Sequence, residues 1–307
     1  MFKKIMFATT ASPSCDHAAR VAFNIAGNYD SDLIVFHVLG YPSRGFSQTV
    51  IDSRTGERVA YDEDYIQWVK EEMKNTYGKL METGGRITLE TISGIPHTEI
   101  LRYARKNNVD LIVMGSSSQK EHDTSSSYKN FAGNTLKAVA KSARCPVLVI
   151  GREAASFWGG FSNIVFGTDF SKSADSAFVF ALKLARELKC KLHIFHALDI
   201  SSIYSGKIIE QNEIDENLRE IRNRIRKKYE TSMKDLDDYE IGVWEGIPYV
   251  EIVKYARENY ADLIVMAHHT HEPDPEKTKL GSTLEQVVLR AACPVASVNR
   301  PDKIKDM

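Results

Sequence analysis

The chain has no excess of either charge, no long apolar run and little cysteine. Forty Lys and Arg stand against 41 Asp and Glu, a formal net charge of -1 in 307 residues. No global basic field is therefore available to hold nucleic acid or an anionic membrane. No stretch approaches the length of a membrane span. The opening "MFKKIMFATT" breaks at threonines before it could act as the apolar core of a signal peptide. The four cysteines, Cys15, Cys145, Cys190 and Cys293, form no CxxC pair, which excludes a disulfide framework and predicts buried free thiols in a reducing, cytoplasmic compartment. There is also no nucleophile elbow, no Cys-His motif and no Walker lysine, so nothing points to covalent catalysis.

What the chain does have is a second copy of itself. "IMFATTASPSCDHAARVAFNIA" from Ile5 aligns without a gap to "IVFGTDFSKSADSAFVFALKLA" from Ile164, an offset of 159. "SGIPHTEILRYARKNNVDLIVMG" aligns to "EGIPYVEIVKYARENYADLIVMA" at an offset of 152, and "AGNTLKAVAKSARCPVLVI" to "LGSTLEQVVLRAACPVASV" at 148. The falling offsets place seven extra residues (159 − 152) between the second strand and the "GIP" turn of the first copy, and four (152 − 148) before its "GNT". Insertions of this kind fall in surface loops, which carry function. The repeat predicts two domains, residues 1–151 and 160–301, joined by the linker "GREAASFWGG".

Each copy alternates short β-branched runs ("KIMFAT", "DLIVFHVL", "RITLETI", "DLIVMG", "PVLVI") with amphipathic stretches such as "HAARVAFNIAGNY". Continuous apolar strands divided by helices predict an α/β fold: two repeated doubly wound domains, each a mainly parallel five-stranded sheet with helices on both faces. Ligands of such sheets sit beyond the carboxyl ends of the strands. The loops to inspect are "TTASPS" and "TDFSKS" after strand one, and "GSSSQ" and "AHHTH" after strand four. Between the second strand and the "GIP" turn of the first copy, "TVIDSRTGERVAY" alternates about an R-T-G-E turn and predicts a small hairpin, either a lid or a decoration.

Gly281, Ser282 and Thr283 open a helix, whose free N–H groups suit a phosphate. Ser282 and Glu285 also fit a capping box that would satisfy the same donors with no ligand. Taken together, a strand ending "DLIVMG", a small-residue loop and a G-[ST] turn opening a helix that runs into "CPV" resemble the universal stress protein family across nearly the whole of both copies. The family's nucleotide-binding members carry a G-2x-G-9x-G-[ST] phosphate loop and an aspartate in a "TDFS"-like turn.

The resemblance implies an adenine nucleotide, ATP or AMP, with magnesium able to accompany it. In the second copy it points to Thr168, Asp169, Ser171, Ala197, Ala267, Thr270, Gly281, Ser282 and Thr283. Ala267 and Thr270 stand where glycines are expected, and 13 residues separate Ala267 from Gly281. In the first copy it points to Thr10, Val38, Gly115, Ser118, Gly133, Asn134 and Thr135. There Thr10 replaces the aspartate, Ser118 a glycine and Asn134 the serine or threonine, over an interval of 17 residues. If one nucleotide binds per chain, Asp169 favours the second copy.

Three other features stay open. "SSSQKEHDTSSS" offers hydroxyls to a phosphate or is a solvated loop. His268, His269 and His271, followed by Glu272 and Asp274, are of metal-ligand type, or form a solvated loop, or supply one ligand contact. His37 and His196 lie at equivalent strand ends, where core histidines are common. The sequence expectation is a tandem binding protein, at most a slow ATP hydrolase, that acts in a stress response by conformational signalling or partner contact. A scaffold without nucleotide, and a metal-binding or slow phosphohydrolase protein using the histidine loop, are the alternatives. In the family, domains pair through their last strands, which fusion would allow within one chain, and a further homodimer stays open.

Overall fold

The structure, a computed structural model, describes residues 2–12, 15–42, 49–52, 56–82, 85–116, 134–151, 160–200, 210–268 and 282–298. The expected linker lies almost wholly outside these, as does the serine-rich loop beyond Ser116.

The first half runs β1 (Lys4–Thr9), α1 (Asp16–Asn28), β2 (Asp32–Val38), β3 (Gly40–Pro42), β4 (Thr49–Asp52), β5 (Arg58–Ala60), α2 (Glu63–Met81), β6 (Ile87–Ile92), α3 (Pro96–Lys106), β7 (Leu111–Gly115), α4 (Asn134–Ser142) and β8 (Val147–Ile150). The second half repeats it without the three inserted strands: β9 (Asn163–Gly167), α5 (Lys172–Leu188), β10 (Lys191–Leu198), α6 (Gln211–Tyr229), β11 (Tyr239–Glu245), α7 (Pro248–Glu258), β12 (Leu263–Ala267), α8 (Ser282–Arg290) and β13 (Val295–Val298). Local chemistry sets the boundaries. Asp62 caps α2 by accepting from the Tyr65 N–H, and Ser171 caps α5 by accepting from the Ala174 N–H at 3.1 Å. Pro96 and Pro248 begin α3 and α7, where a missing N–H costs nothing.

Ten strands form one sheet in the order β11-β10-β9-β12-β13-β8-β7-β1-β2-β6. Within each half the pairs are parallel and follow one order, with the first strand central and the fifth outermost. The halves meet where β8 pairs with β13, antiparallel, with Leu148 opposite Ala296. The expected hairpin is present as β4 paired with β5, and β3 extends it to a separate three-stranded sheet.

Helices cover both faces. One apolar cluster lies under α1, α2, α5 and α6 and includes Phe7, Tyr77, Phe166 and Tyr229; the other lies under α3, α4, α7 and α8 and includes Phe36, Ile100, Phe195 and Ile252. Each cluster draws on both halves, so the core is organised by sheet face. Phe2 and Phe180 bring their rings to 6.4 Å between the halves. The four cysteines are buried, and none is in a disulfide. Burial pushes the Cys190 thiol up to about 11 and Cys293 up to about 12, as inert structural thiols require.

At the far end of the sheet from the clefts, one carboxylate per half clasps the start of its first strand. Asp110 Oδ2 accepts from the Lys3 and Lys4 N–H groups at 3.0 Å each, and Asp262 Oδ2 accepts from Ser162 and Asn163 at 2.7 and 3.0 Å. Replacing Asp262 with Ala strands two backbone donors and should lower stability by about 1–2 kcal/mol, read as a lower urea midpoint with an unchanged slope. An unaltered midpoint would show that water replaces the clasp at no cost.

Candidate nucleotide cleft

The loop after the first strand is braced identically in both halves. Thr9 Oγ1 accepts from the Ala11 N–H at 2.9 Å and lies 2.6 Å from the Tyr77 hydroxyl; Thr168 Oγ1 accepts from the Phe170 N–H at 3.0 Å and lies 2.9 Å from the Tyr229 hydroxyl. The brace holds Ala11 and Phe170 in left-handed backbone conformations, with φ of 54° and 63°, unusual for residues with a Cβ. At the neighbouring strand ends, His37 Nδ1 lies 2.8 Å from the Thr9 carbonyl and His196 Nδ1 lies 2.7 Å from the Thr168 carbonyl. A carbonyl only accepts, so each imidazole donates from Nδ1. These two histidines are thus structural, tying the second strand to the turn that carries residue 10 or 169.

In the first half this turn borders a cavity of about 210 Å³ on the α3 and α4 face of the sheet. Ala8, Phe36, Ile100 and Leu136 give it apolar walls, and Thr10, Val38, Gly115, Asn134 and Thr135 converge on it. Five of the first copy's seven expected residues are thereby brought together; Ser118 and Gly133 lie outside the described residues. Cys15, buried, also lines it, with Sγ 3.3 Å from Thr10 Oγ1. The motif reading missed Cys15 because it lies past the turn, at the position that precedes α1.

The second half carries the same frame with other side chains. Asp169 is exposed and its Oδ1 accepts from the Ser171 N–H at 2.9 Å, an Asx turn that leads into α5. Gly167 stands where the first half has Ala8, and Ile252 occupies the space so made: its Cδ1 would lie 2.5 Å from a Cβ at that position. Buried His268 takes the place of buried Ser116. Ser282 opens α8 with Thr283 after it, and Ala267 ends β12. Thr270, Gly281, His269 and His271 lie outside the described residues, as does the Ser282 side chain. One Glu285 oxygen, the capping-box candidate, pairs with Lys137 at 2.7 Å. Among the described residues no group of three or more His, Cys, Asp and Glu could hold a metal ion.

Basic residues on α6 also reach the second turn. Arg224 lies 4.1 Å over the Phe170 ring, and Lys228 donates to the Phe170 carbonyl at 3.1 Å while pairing with Asp175 at 2.6 Å. At the 152 offset their first-half counterparts are Glu72 and Thr76, so neither cation is repeated in the first half. Sequence alignment held this difference, but only the packing of α6 on the turn gave it meaning.

The family described as Universal stress protein family matches residues 1–151 and again 160–299. A universal stress protein of Methanocaldococcus jannaschii is 28% identical over 156 residues, covering 49% of this chain and 82% of its own length. One from Bacillus subtilis is 27% identical over 158 residues, covering 49% and 99%. The crystal structure of a universal stress protein from Archaeoglobus fulgidus superposes with a TM-score of 0.66 at 19% identity, over 97% of both chains. That likeness concerns the fold. No helix among the described residues is long and apolar enough to cross a membrane.

Burial lowers the His196 pKa below its ordinary value, opposed by its hydrogen bond to Thr168 and by the charge of Asp169. As pH falls below about 6.5 the unfolded chain takes up this proton first, so the contribution of neutral His196 to stability is complete above that pH and declines below it. An NMR titration should place the His196 midpoint below 6.5, and Asp169→Asn should move it lower still. A midpoint unmoved by Asp169→Asn would separate the two residues electrostatically.

Proposed function

The chain belongs to the universal stress protein family, and from that premise we propose that it binds an adenine nucleotide, ATP or AMP, at the carboxyl ends of its strands. The first-half cavity carries the reading, because five residues to which the family resemblance points line one partly open cavity. At about 210 Å³ it is smaller than the roughly 300–1,000 Å³ of complete small-molecule sites, so it suits one end of a nucleotide. In this reading the apolar walls and Val38 take the adenosine end. The Gly115 backbone and the N-terminus of α4 face the phosphates, where a missing Cβ and free N–H groups favour close approach. Magnesium would arrive on the phosphates, since the described residues provide no acidic cluster to hold it alone. The task is binding with a response in shape or partner contact, in a stress response.

A second reading, favoured by the exposed Asp169 carboxylate, puts a single nucleotide in the second half, with Asp169 on the adenosine end. Calorimetric titration with ATP, AMP and adenosine separates the two. Gly115→Val should lower affinity at least tenfold, about 1.4 kcal/mol, while Asp169→Ala leaves the tight event intact. The reverse pattern would move the site to the second half. No heat with any of the three ligands would leave a scaffold that binds no nucleotide.

A further inference from the structure

The seam between the halves is built from residues that are each other's counterparts. Leu148 lies opposite Ala296 in the β8–β13 register, and the two are related by the offset of 148 (296 − 148) that aligns the closing segments. A local twofold axis therefore passes between them. One residue is large and the other small, and both are buried in the same cluster. On the opposite face, Lys137 Nζ on α4 lies 2.7 Å from Glu285 Oε1 on α8. These too are counterparts at 148 (285 − 137). Their side chains are only 29% and 22% exposed, so both attraction and repulsion at this point are less screened than on an open surface.

A residue next to a twofold axis meets its own copy in a symmetric pair. Two first halves would set Lys137 against Lys137 and force Leu148 against Leu148. Two second halves would set Glu285 against Glu285 and leave Ala296 facing Ala296, with a void in the core. We propose that the seam is a selective interface, fitted to the unlike half and built to reject the like half. Charge excludes both symmetric pairs, since like charges juxtaposed at an interface are costly. Side-chain volume excludes them again, one by overpacking and the other by a cavity. Selectivity is a difference between affinities, and here matched and mismatched contacts act at the same positions. In consequence, pairing favours one cleft with Thr10 beside one with Asp169 over two alike.

Two measurements test this. In full-length chains, Lys137→Glu and Glu285→Lys should each lower the urea midpoint, and the double exchange should recover most of the loss in either single variant. A double exchange no better than the singles would overturn the charge argument. For pairing itself, a protease site placed between Gly151 and Gly160 allows the folded chain to be nicked, unfolded and refolded, and the pairs counted by native mass spectrometry. Unlike pairs should exceed like pairs about tenfold beyond random assortment, and the excess should shrink in nicked Glu285→Lys. Random assortment in the unsubstituted protein would overturn the proposal. If the nicked halves do not re-pair, the full-length exchange decides alone.

Discussion

The pairing of β8 with β13 is the contact on which the molecule depends. In each half the fifth strand is outermost and its four residues are buried in the assembled protein. Left alone it would be a short apolar edge with open hydrogen-bonding groups, the template that sheets must conceal. Joining two such edges removes both and fuses the apolar layers on each face into clusters that run through the whole chain. The edges that remain, β6 and β11, carry part-exposed positions with charged residues such as Glu90, Glu240 and Glu245, which discourages further strand addition.

Within this frame the two clefts diverged in side chains while keeping one backbone device. The Thr–Tyr contact, the left-handed residue and the histidine tied to a carbonyl recur in both halves. The first half then keeps an Ala8 floor beneath a partly open cavity lined also by Thr10 and Cys15. The second lowers its floor to Gly167, lets Ile252 settle there, and sets Arg224 and Lys228 of α6 against Phe170. A repeated scaffold thus presents two chemically different mouths on one sheet.

Much of the fold was legible because its causes are local or periodic. Ungapped repeats fixed two equivalent halves, apolar runs between amphipathic stretches fixed the parallel strands, and the alternation about Arg54 to Glu57 foretold the inserted hairpin. Pairing through the last strands came from the family resemblance. The site was legible only in part. Motif matching found residues at strand ends and helix starts, where position in the chain nearly determines position in space. It could not find Cys15, Ile252, Arg224 or Lys228, whose relevance arises from how α1, α7 and α6 pack over the turn. Nor could it recognise Lys137 and Glu285 as partners, although the 148 offset already named them as counterparts. What was missing was the location of the axis.

The seam also has a consequence in time. β8 ends at Ile150 and its partner begins at Val295, so 144 residues (295 − 150 − 1) must be made after one edge before the other exists. At ordinary elongation rates of about 5–20 residues per second, the first half waits roughly 7–30 s on the ribosome with its last strand unpaired. Crowded polysomes bring many identical first halves together during that interval. On the proposed selectivity, a lysine at the future axis would set like charge against like wherever two such unfinished edges met, a safeguard that acts before the second half exists.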